Sequence, residues 1–507
     1  MSETSTTPVT ISYARLPSQG IVYGLSGWGF TTVLVAVFIA VIAVLRGGFL
    51  SLLASLPVAV PVAMSGVFMI HGEPVIRHVL REVGGLMRHM VGATKYKRRP
   101  EKSRTLPESA LDIPGRPGRL HLFETGTGAV VVWDARAQTA TVVCMVATPG
   151  MGVPQPDAPS TVTGPEREAL VYEWARVLGG FTQKPHMVRV TQLEHTRPGS
   201  VAAETRAFEE QLASFPPEVA GSPVFASYRE TLALASRSVV SHVTQLALTF
   251  TLTGEAKALM KGAGGKRAGM LHIAELEMAA ASDALFHAGF QRVAWMSPRE
   301  WGAWGRQLID PVAQPMIDAR IGTVTQGADP WASTPMLIDE RRTWVETDTA
   351  FHRTYWIYQW PRYETHPGFL SSLVLAKPQT GGVVRHTLAL VGSPTPVGKA
   401  MKQLEDDKRT WITNENLRAK TGKPTSEADN ADWRAIQQHE ADLVAGQGEL
   451  QMSAYLTVTA LDKDRLEQEC AAVLNACSRA GLEPRMMPWQ QAEALMNVVY
   501  PSGTGMK

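Results

Sequence analysis

Two apolar spans near the start of the chain dominate its pattern of hydrophobic and polar residues. The first covers residues 25–45, with an unbroken apolar run over 33–45, and the second covers residues 50–70 without a charged side chain. At about 1.5 Å per residue, each can cross about 30 Å of hydrocarbon as a helix. Only residues 46–49 separate the spans, and so short a link predicts a helical hairpin. We therefore expect a membrane protein; a buried hairpin of a soluble protein is the alternative.

Basic residues are distributed very unevenly around this predicted hairpin. Arg15 is the only one ahead of the first span, whereas Lys and Arg are concentrated between residues 77 and 104. By the positive-inside rule, the carboxyl side of the hairpin lies in the cytoplasm, and two spans place the amino terminus there too. We expect a plasma-membrane protein with two transmembrane helices and a cytosolic bulk. The residues predicted to face the lipid headgroups are Arg77, Arg81, Arg88, Lys95, Lys97, Arg98 and Arg99.

The segment that follows the spans has the periodicity of an amphipathic helix. Within residues 76–91, apolar side chains recur at helical spacing and most basic ones lie off that stripe. This pattern predicts a helix in the membrane interface, with its basic side toward anionic lipid. A core helix of the cytosolic part is the alternative. Residues 95–118 are basic and then rich in Pro and Gly, which predicts a linker.

Beyond the linker, strand-like and helix-like segments alternate in two rounds. Residues 129–133 and 140–147 are predicted to be paired strands, and residues 166–181 an amphipathic helix. In the second round, the strand predicted at 353–360 is expected to neighbour the strand predicted at 383–391. Polar helices predicted at 396–420 and 432–445 resemble a helical arm.

Two successive β-α-β arrangements of antiparallel character predict an α+β fold with ferredoxin-like lobes. The predicted domain organisation has five parts. They are a polar tail (1–24), a transmembrane hairpin (25–70), a basic interfacial helix with linker (71–118), a first lobe (119–340) and a second lobe (341–507).

Composition narrows the class of protein. The 507 residues carry a net charge of +2 and a mean hydropathy of −0.06, so the part outside the membrane is ordinary water-soluble protein. A transporter with many spans would be far more hydrophobic, and the charge is too small for a general nucleic-acid binder. Cys144, Cys470 and Cys477 form neither a metal-ligand pair nor a disulfide framework, which is typical of a reducing compartment.

The sequence contains no assembled catalytic motif. Residues 392–400 approach the phosphate-binding loop pattern, but the glycines are one residue too far apart and Ala400 replaces the required hydroxyl. His439 and Glu440 open like a zinc-protease helix, yet Leu443 stands where the second histidine belongs. We therefore predict no catalytic residue, no cofactor and no metal.

The order of parts resembles two modules of bacterial conjugation systems. The membrane hairpin with its basic stretch resembles the PrgI/VirB-type small membrane subunit of conjugative secretion systems. The later half resembles the amino-terminal domain of the VirB-type conjugation ATPase, through residues 353–361 (RTYWIYQWP), 367–370 (PGFL), the strand ending at Val391 and the helix over 397–407. Together they are similar to a family on actinobacterial integrative and conjugative elements that fuses both modules in one chain.

This resemblance implies a membrane-anchored component of a conjugative type IV secretion machine. The motor domain and nucleotide loop of the ATPase are absent, which implies a non-enzymatic scaffold that docks a separate ATPase and other membrane subunits or forms a homo-oligomeric ring. A membrane subunit of a type VII secretion system and a membrane-tethered enzyme without a short motif are alternatives. Direct DNA contact by residues 95–104 is a further possibility that the sequence leaves open.

Overall fold

The computed structural model describes residues 27–70, 73–98, 109–114, 116–147, 164–361, 365, 368–378, 382–422, 424–444 and 448–506. The tail predicted over 1–24 lies outside this set. The chain divides into two compact units. The sheet unit contains the described residues of 94–400 and 443–506, and the helical unit contains those of 27–93 and 401–442.

The helices and strands, numbered in chain order, have the following bounds. The helices are α1 (Gly27–Val67), α2 (Val75–Met90), α3 (Gly164–Thr182), α4 (Ala202–Leu212), α5 (Pro217–Ala220), α6 (Pro223–Ser238), α7 (Glu255–Gly262), α8 (Lys266–His287), α9 (Pro298–Ile309), α10 (Gln314–Asp318), α11 (Ser371–Val374), α12 (Val397–Thr421), α13 (Glu427–Val444), α14 (Lys463–Arg479) and α15 (Gln491–Ala494). The strands are β1 (Met69–Ile70), β2 (Glu73–Pro74), β3 (Lys95–Lys97), β4 (Ala110–Ile113), β5 (Arg116–Glu124), β6 (Val130–Asp134), β7 (Thr139–Ala147), β8 (Met187–Pro198), β9 (Val240–Thr251), β10 (Arg292–Trp295), β11 (Leu337–Glu340), β12 (Val345–Glu346), β13 (Phe351–Gln359), β14 (Arg385–Thr395), β15 (Glu449–Ala460) and β16 (Glu483–Met486).

The helical unit begins with one long apolar helix, α1, where the sequence predicted two separate spans. A second span is not seen as a separate helix, because Arg46 and Phe49 of the predicted link are themselves helical. Only Gly47 and Gly48 depart from helical dihedral angles, and Gly48 has a φ of +64°, which glycine adopts without a Cβ clash. The buried residues of α1 are all short: Gly29, Thr32, Ala36, Ala59 and Gly66.

Two distant parts of α1 lie in contact. A Cβ atom added to Gly66 would overlap the Thr32 side chain and lie 3.0 Å from the Cα atom of Gly29. Only a residue without a side chain therefore fits at position 66. Many of the other apolar side chains of α1 are exposed, and the helix is long and apolar enough to cross a membrane.

The predicted helical arm consists of two helices, α12 and α13, that pack against each other. The Trp411 and Trp433 rings stack with centroids 4.5 Å apart. Arg418 donates to Asp429 at 2.6 Å, and the Trp411 indole donates to the main-chain oxygen of Asp429 at 3.2 Å. The Asp429 carboxylate also accepts from the Ser426 main-chain nitrogen, which fixes the turn between the helices.

A single antiparallel sheet forms the centre of the sheet unit, so the α+β class is confirmed. The strands lie in the order β3-β11-β12-β13-β15-β14-β8-β9-β7-β6-β5-β4, with β10 beside β7 and β16 beside β13. The predicted linker contributes β3 and β4, which lie at opposite ends of this order. The linker prediction is wrong there, because β3 gains a distant partner, β11, and β4 pairs with β5, the strand that follows it.

The same connection of strands and helices occurs twice within this sheet. The first copy runs β7-α3-β8-β9-α8-β10, paired in the order β10-β7-β9-β8, and the second runs β13-α11-β14-β15-α14-β16, paired in the order β16-β13-β15-β14. β15 lies between β13 and β14, so the prediction that those two strands are neighbours is wrong. The copies join where β8 pairs with β14, with Leu193 opposite Ala389.

Side-chain alternation divides the core into two layers. Val142, Cys144 and Val146 of β7 face the layer that contains α3 and α8, whereas Val143 faces the opposite layer. In the second copy, α14 covers the corresponding face. The opposite layer is formed by α9 and by residues 491–506, which pack on strands of both copies.

The carboxyl-terminal segment is fixed by polar as well as apolar contacts. The Trp301 indole donates to the main-chain oxygen of Pro501 at 2.8 Å. Gly503 has a φ of +66°, and a Cβ atom there would overlap the hydroxyl groups of Thr141 and Thr249. Arg189 donates to the main-chain oxygen of Gly503. Residues 491–506 are therefore an integral layer of the fold.

Candidate functional site

Helix α2 presents a continuous apolar surface to solvent. Six apolar residues at helical spacing within 76–91 have exposed side chains: Val79, Leu80, Val83, Leu86, Met87 and Met90. Exposed apolar surfaces of this kind mark membrane or partner contacts, because water solvates them unfavourably. Gly84 and Gly85 do not interrupt the helix.

Three of the predicted basic residues lie together on α2. At 100° per residue, Arg77, Arg81 and Arg88 fall within about 40° of one another, on the side away from the apolar stripe. Arg77 and Arg81 bind the same carboxylate, that of Glu73, at 3.4 and 2.9 Å. Helix α2 is therefore amphipathic, and two of its arginines are held in place by the strand before it.

The other predicted basic residues lie in the sheet unit. Lys95 and Lys97 are exposed in β3, where Lys95 lies 3.5 Å from Asp339. Arg98 donates to Thr334 Oγ1 at 2.9 Å, and Arg99 lies outside the described residues. Of the seven predicted residues, three therefore lie on helix α2, and three lie on β3 or directly after it, in the sheet unit.

The segment that approaches a phosphate-binding loop forms no loop. Gly392 belongs to β14 and pairs with Val190 and Met452, so its main-chain groups face neighbouring strands. Only Pro396 separates β14 from α12. In the part of the chain that the structure describes, no three His, Cys, Asp or Glu side chains converge as metal ligands.

A polar cavity that the sequence did not indicate lies where the two copies of the repeat join. This central cavity has a volume of about 30 Å³ and is lined by strands β8, β9, β14 and β15 and by helix α9. The Arg197 guanidinium lies 4.5 Å from the centroid of the Trp304 ring and donates to Gln307. Arg385 lines the cavity from β14 and donates to Gln314.

Buried polar atoms in the central cavity lack protein partners. His195 Nδ1 lies 2.9 Å from Thr387 Oγ1, but His195 Nε2 has no hydrogen-bond partner among the described residues. Within the same residues, neither amide atom of the fully buried Gln245 has a partner. Buried polar groups nearly always have one, so the cavity calls for a polar occupant. Its volume suits one water-sized group.

Burial and charge set the protonation states around the cavity. Burial lowers the pKa of His195 to about 3, and the nearby Arg197 charge acts in the same direction. Burial also lowers the pKa of Arg385 to about 10, again assisted by Arg197. At neutral pH, a neutral imidazole therefore lies beside two guanidinium cations.

An open groove of about 590 Å³ lies on the other side of Arg385. Its lining includes Ser200 and Val201, the first residue of α4 (Ala202), Arg206 and Gln314.

Part of the central cavity could have been predicted from the sequence. Because His195 and Arg197 are two residues apart on a strand, their side chains lie on the same face of the sheet. Their apposition to Arg385 depends on the pairing of β8 with β14, which sequence periodicity does not specify.

Comparison with known proteins adds no family to this description: no protein-family model matches the chain, and no curated protein is significantly similar to it.

Proposed function

We propose that the protein is a non-enzymatic, membrane-anchored component of a conjugative type IV secretion machine. The exposed apolar helix α1, followed by the amphipathic helix α2, carries the membrane part of this proposal. The similarity of residues 353–361 and of the following elements to the amino-terminal domain of conjugation ATPases supports the assignment to DNA transfer.

We infer that α1 is folded at Gly47–Gly48 into two antiparallel halves that both cross the bilayer. In a straight helix, Gly29 and Gly66 would be about 55 Å apart, whereas here they are in contact. Gly29 and Gly66 lie equally far in sequence from the break, and so do Ala36 and Ala59, as an antiparallel pairing requires. Small residues at the contact allow close packing of helices in lipid.

This topology orients the rest of the chain. Two crossings return the chain to its starting side, and the basic residues after the second crossing assign that side to the cytoplasm. The apolar stripe of α2 then lies in the membrane interface, with Arg77, Arg81 and Arg88 toward anionic headgroups. Glu73 offsets one of these three positive charges, so the remaining net charge would contribute about 2 kcal/mol of attraction near such a surface.

The sheet unit serves as a docking platform in this proposal. The strand order of each copy, with the fourth strand beside the first and the third beside the second, supports two ferredoxin-like lobes. The sheet unit offers a continuous antiparallel sheet with helices packed on it, and in chain order α12 and α13 fall between β14 and β15. A separate ATPase and other membrane subunits are the proposed partners.

Affinity purification of the full-length protein from its own membranes tests this function. The proposal predicts that a conjugation ATPase and other conjugation proteins co-purify with the detergent-extracted complex. Recovery of type VII substrates would instead assign the protein to a type VII secretion system. Recovery of the protein alone under mild extraction would contradict the proposal.

The non-enzymatic role has its own test. The purified protein is expected to release no phosphate from ATP above the background of a Lys399→Ala variant, because residues 392–400 provide no phosphate-binding loop. ATP hydrolysis that is lost in the Lys399→Ala variant would refute the scaffold role.

A further inference from the structure

The lining of the central cavity has more partnerless hydrogen-bond donors than acceptors. Three buried nitrogen atoms of the lining residues have no protein partner among the described residues: Arg197 Nε, His195 Nε2 and Gln245 Nε2. Against them, the partnerless acceptor that the same residues provide is Gln245 Oε1. Because unpaired buried polar groups destabilise a fold, an occupant that accepts several hydrogen bonds would be favourable here.

Carboxylates do not fully neutralise the cations around the cavity. Arg197 and Arg385 both line it, and the Arg197 charge acts together with burial to lower the pKa of Arg385 to about 10. The Asp318 carboxylate lies 3.8 Å from Arg197. Glu469, which also interacts with Arg385, is paired with Arg465 at 2.6 Å. These three arginines and two carboxylates leave one positive charge.

A water molecule would meet only part of these requirements. Water is neutral, so it offsets no charge, and its own two hydrogens need acceptors. An anion accepts hydrogen bonds without donating any, and hydrogen bonds between charged groups are stronger than those between neutral groups. A volume of about 30 Å³ suits a monatomic anion, which is only slightly larger than water, and leaves no room for an organic ligand.

We propose that the central cavity binds a chloride ion through the N–H groups of Arg197 Nε, His195 Nε2 and Gln245 Nε2, beside the Arg385 charge. In this site the Thr387 hydroxyl donates to His195 Nδ1 at 2.9 Å, which places the imidazole hydrogen on Nε2. The three donors belong to β8 and β9 of the first copy of the repeat, whereas Arg385 belongs to β14 of the second. The ion therefore stabilises the junction of the two copies, independently of the proposed role in secretion.

Thermal unfolding of the full-length protein in detergent micelles, followed by circular dichroism, tests the site. Sodium chloride replaces sodium gluconate at pH 7.5 and constant ionic strength, so that charge screening stays the same. A ligand that binds only the folded state stabilises it. We therefore expect the unfolding midpoint to rise by about 2 °C for each tenfold increase in chloride above its dissociation constant, and bromide to act alike. Midpoints that do not depend on the halide would overturn the proposal.

A matched pair of variants locates the ion. Gln245→Glu places a carboxylate of nearly the same shape in the cavity, where it supplies the missing negative charge. We expect this variant to lose the chloride response and its midpoint in gluconate to be at least that of the unmodified protein. Gln291→Glu makes the same change at an exposed position outside the cavity lining and should retain the full response. A full chloride response in Gln245→Glu would overturn the site.

Arg385→Met tests the charge requirement without adding a buried carboxylate. Methionine keeps an unbranched apolar stem but has no charge, so the chloride response is expected to disappear. The loss of stability should then be larger in chloride than in gluconate. A chloride response of unchanged size in Arg385→Met would refute the charge argument. The titration of the unmodified protein needs no substitution, so it decides the proposal even where a variant does not fold.

Discussion

Lowering the pH from 6.5 to 5.0 is predicted to destabilise the sheet unit, because three of its histidines are buried and neutral. The three lie on strands of the central sheet: His195 on β8, His352 on β13 and His386 on β14. Burial lowers the pKa of His195 and of His352 to about 3 and the pKa of His386 to about 4. His352 is also held between the Thr347 and Thr459 hydroxyls, at 2.8 and 2.9 Å.

The sign and size of the effect follow from proton binding. Each histidine has a pKa near 6.5 in the unfolded chain, so between that value and its folded pKa only the unfolded state is protonated. The contribution to stability is complete above pH 6.5 and decreases as the pH falls. One histidine contributes about 1.4 kcal/mol per pH unit well below 6.5, so three remove about 5 kcal/mol between pH 6.5 and 5.0. Free carboxylates titrate mainly below this range, whereas burial raises the pKa of Glu469.

Denaturant unfolding in detergent, followed by tryptophan fluorescence, measures this dependence. The free energy of unfolding is expected to fall steeply between pH 6.5 and 5.0, and His352→Gln to remove about a third of the slope. His287→Gln is the matched control, because His287 is exposed on α8 and should leave the slope unchanged. A free energy of unfolding that is constant from pH 7 to pH 5 would refute the assignment of buried neutral histidines.

Two glycine contacts give further predictions. Gly503→Ala is expected to lower the free energy of unfolding by about 2–4 kcal/mol, because the new Cβ adds backbone strain and overlaps two threonine hydroxyls. Gly422→Ala, at a φ of +67° in open space, should cost only about 1 kcal/mol, and equal losses in denaturant unfolding would contradict the packing argument. In membranes, cysteines replacing Ala36 and Ala59 are expected to cross-link on oxidation. Adding Gly66→Leu to this double variant is expected to reduce the yield of the cross-link. No cross-link would exclude the antiparallel pairing within α1.

Local periodicity predicted most of the secondary structure. The helix predicted over 166–181 corresponds to α3, and the strands predicted over 129–133 and 140–147 correspond to β6 and β7, which pair as expected. Each of these segments buries one face, so the spacing of its apolar side chains indicates whether it is a helix or a strand. The burial of Cys470 and Cys477 on the core side of α14 follows from the same periodicity.

Long-range pairing could not be predicted in the same way. β3 arises from a basic stretch, and its partner, β11, lies far away in the sequence and is set by tertiary context. The placement of β15 between β13 and β14 depends on a crossover connection that no local pattern specifies. For the same reason, nothing in the sequence indicated that Arg197 and Arg385, on strands of different copies, line one cavity.

Extraction of the full-length protein from cell membranes tests the central claim, that residues 25–70 anchor the chain in lipid. After an alkaline carbonate wash, which removes peripheral proteins, we expect the protein to remain in the membrane pellet and to dissolve only when detergent is added. Recovery of the intact protein in the detergent-free supernatant would contradict the account.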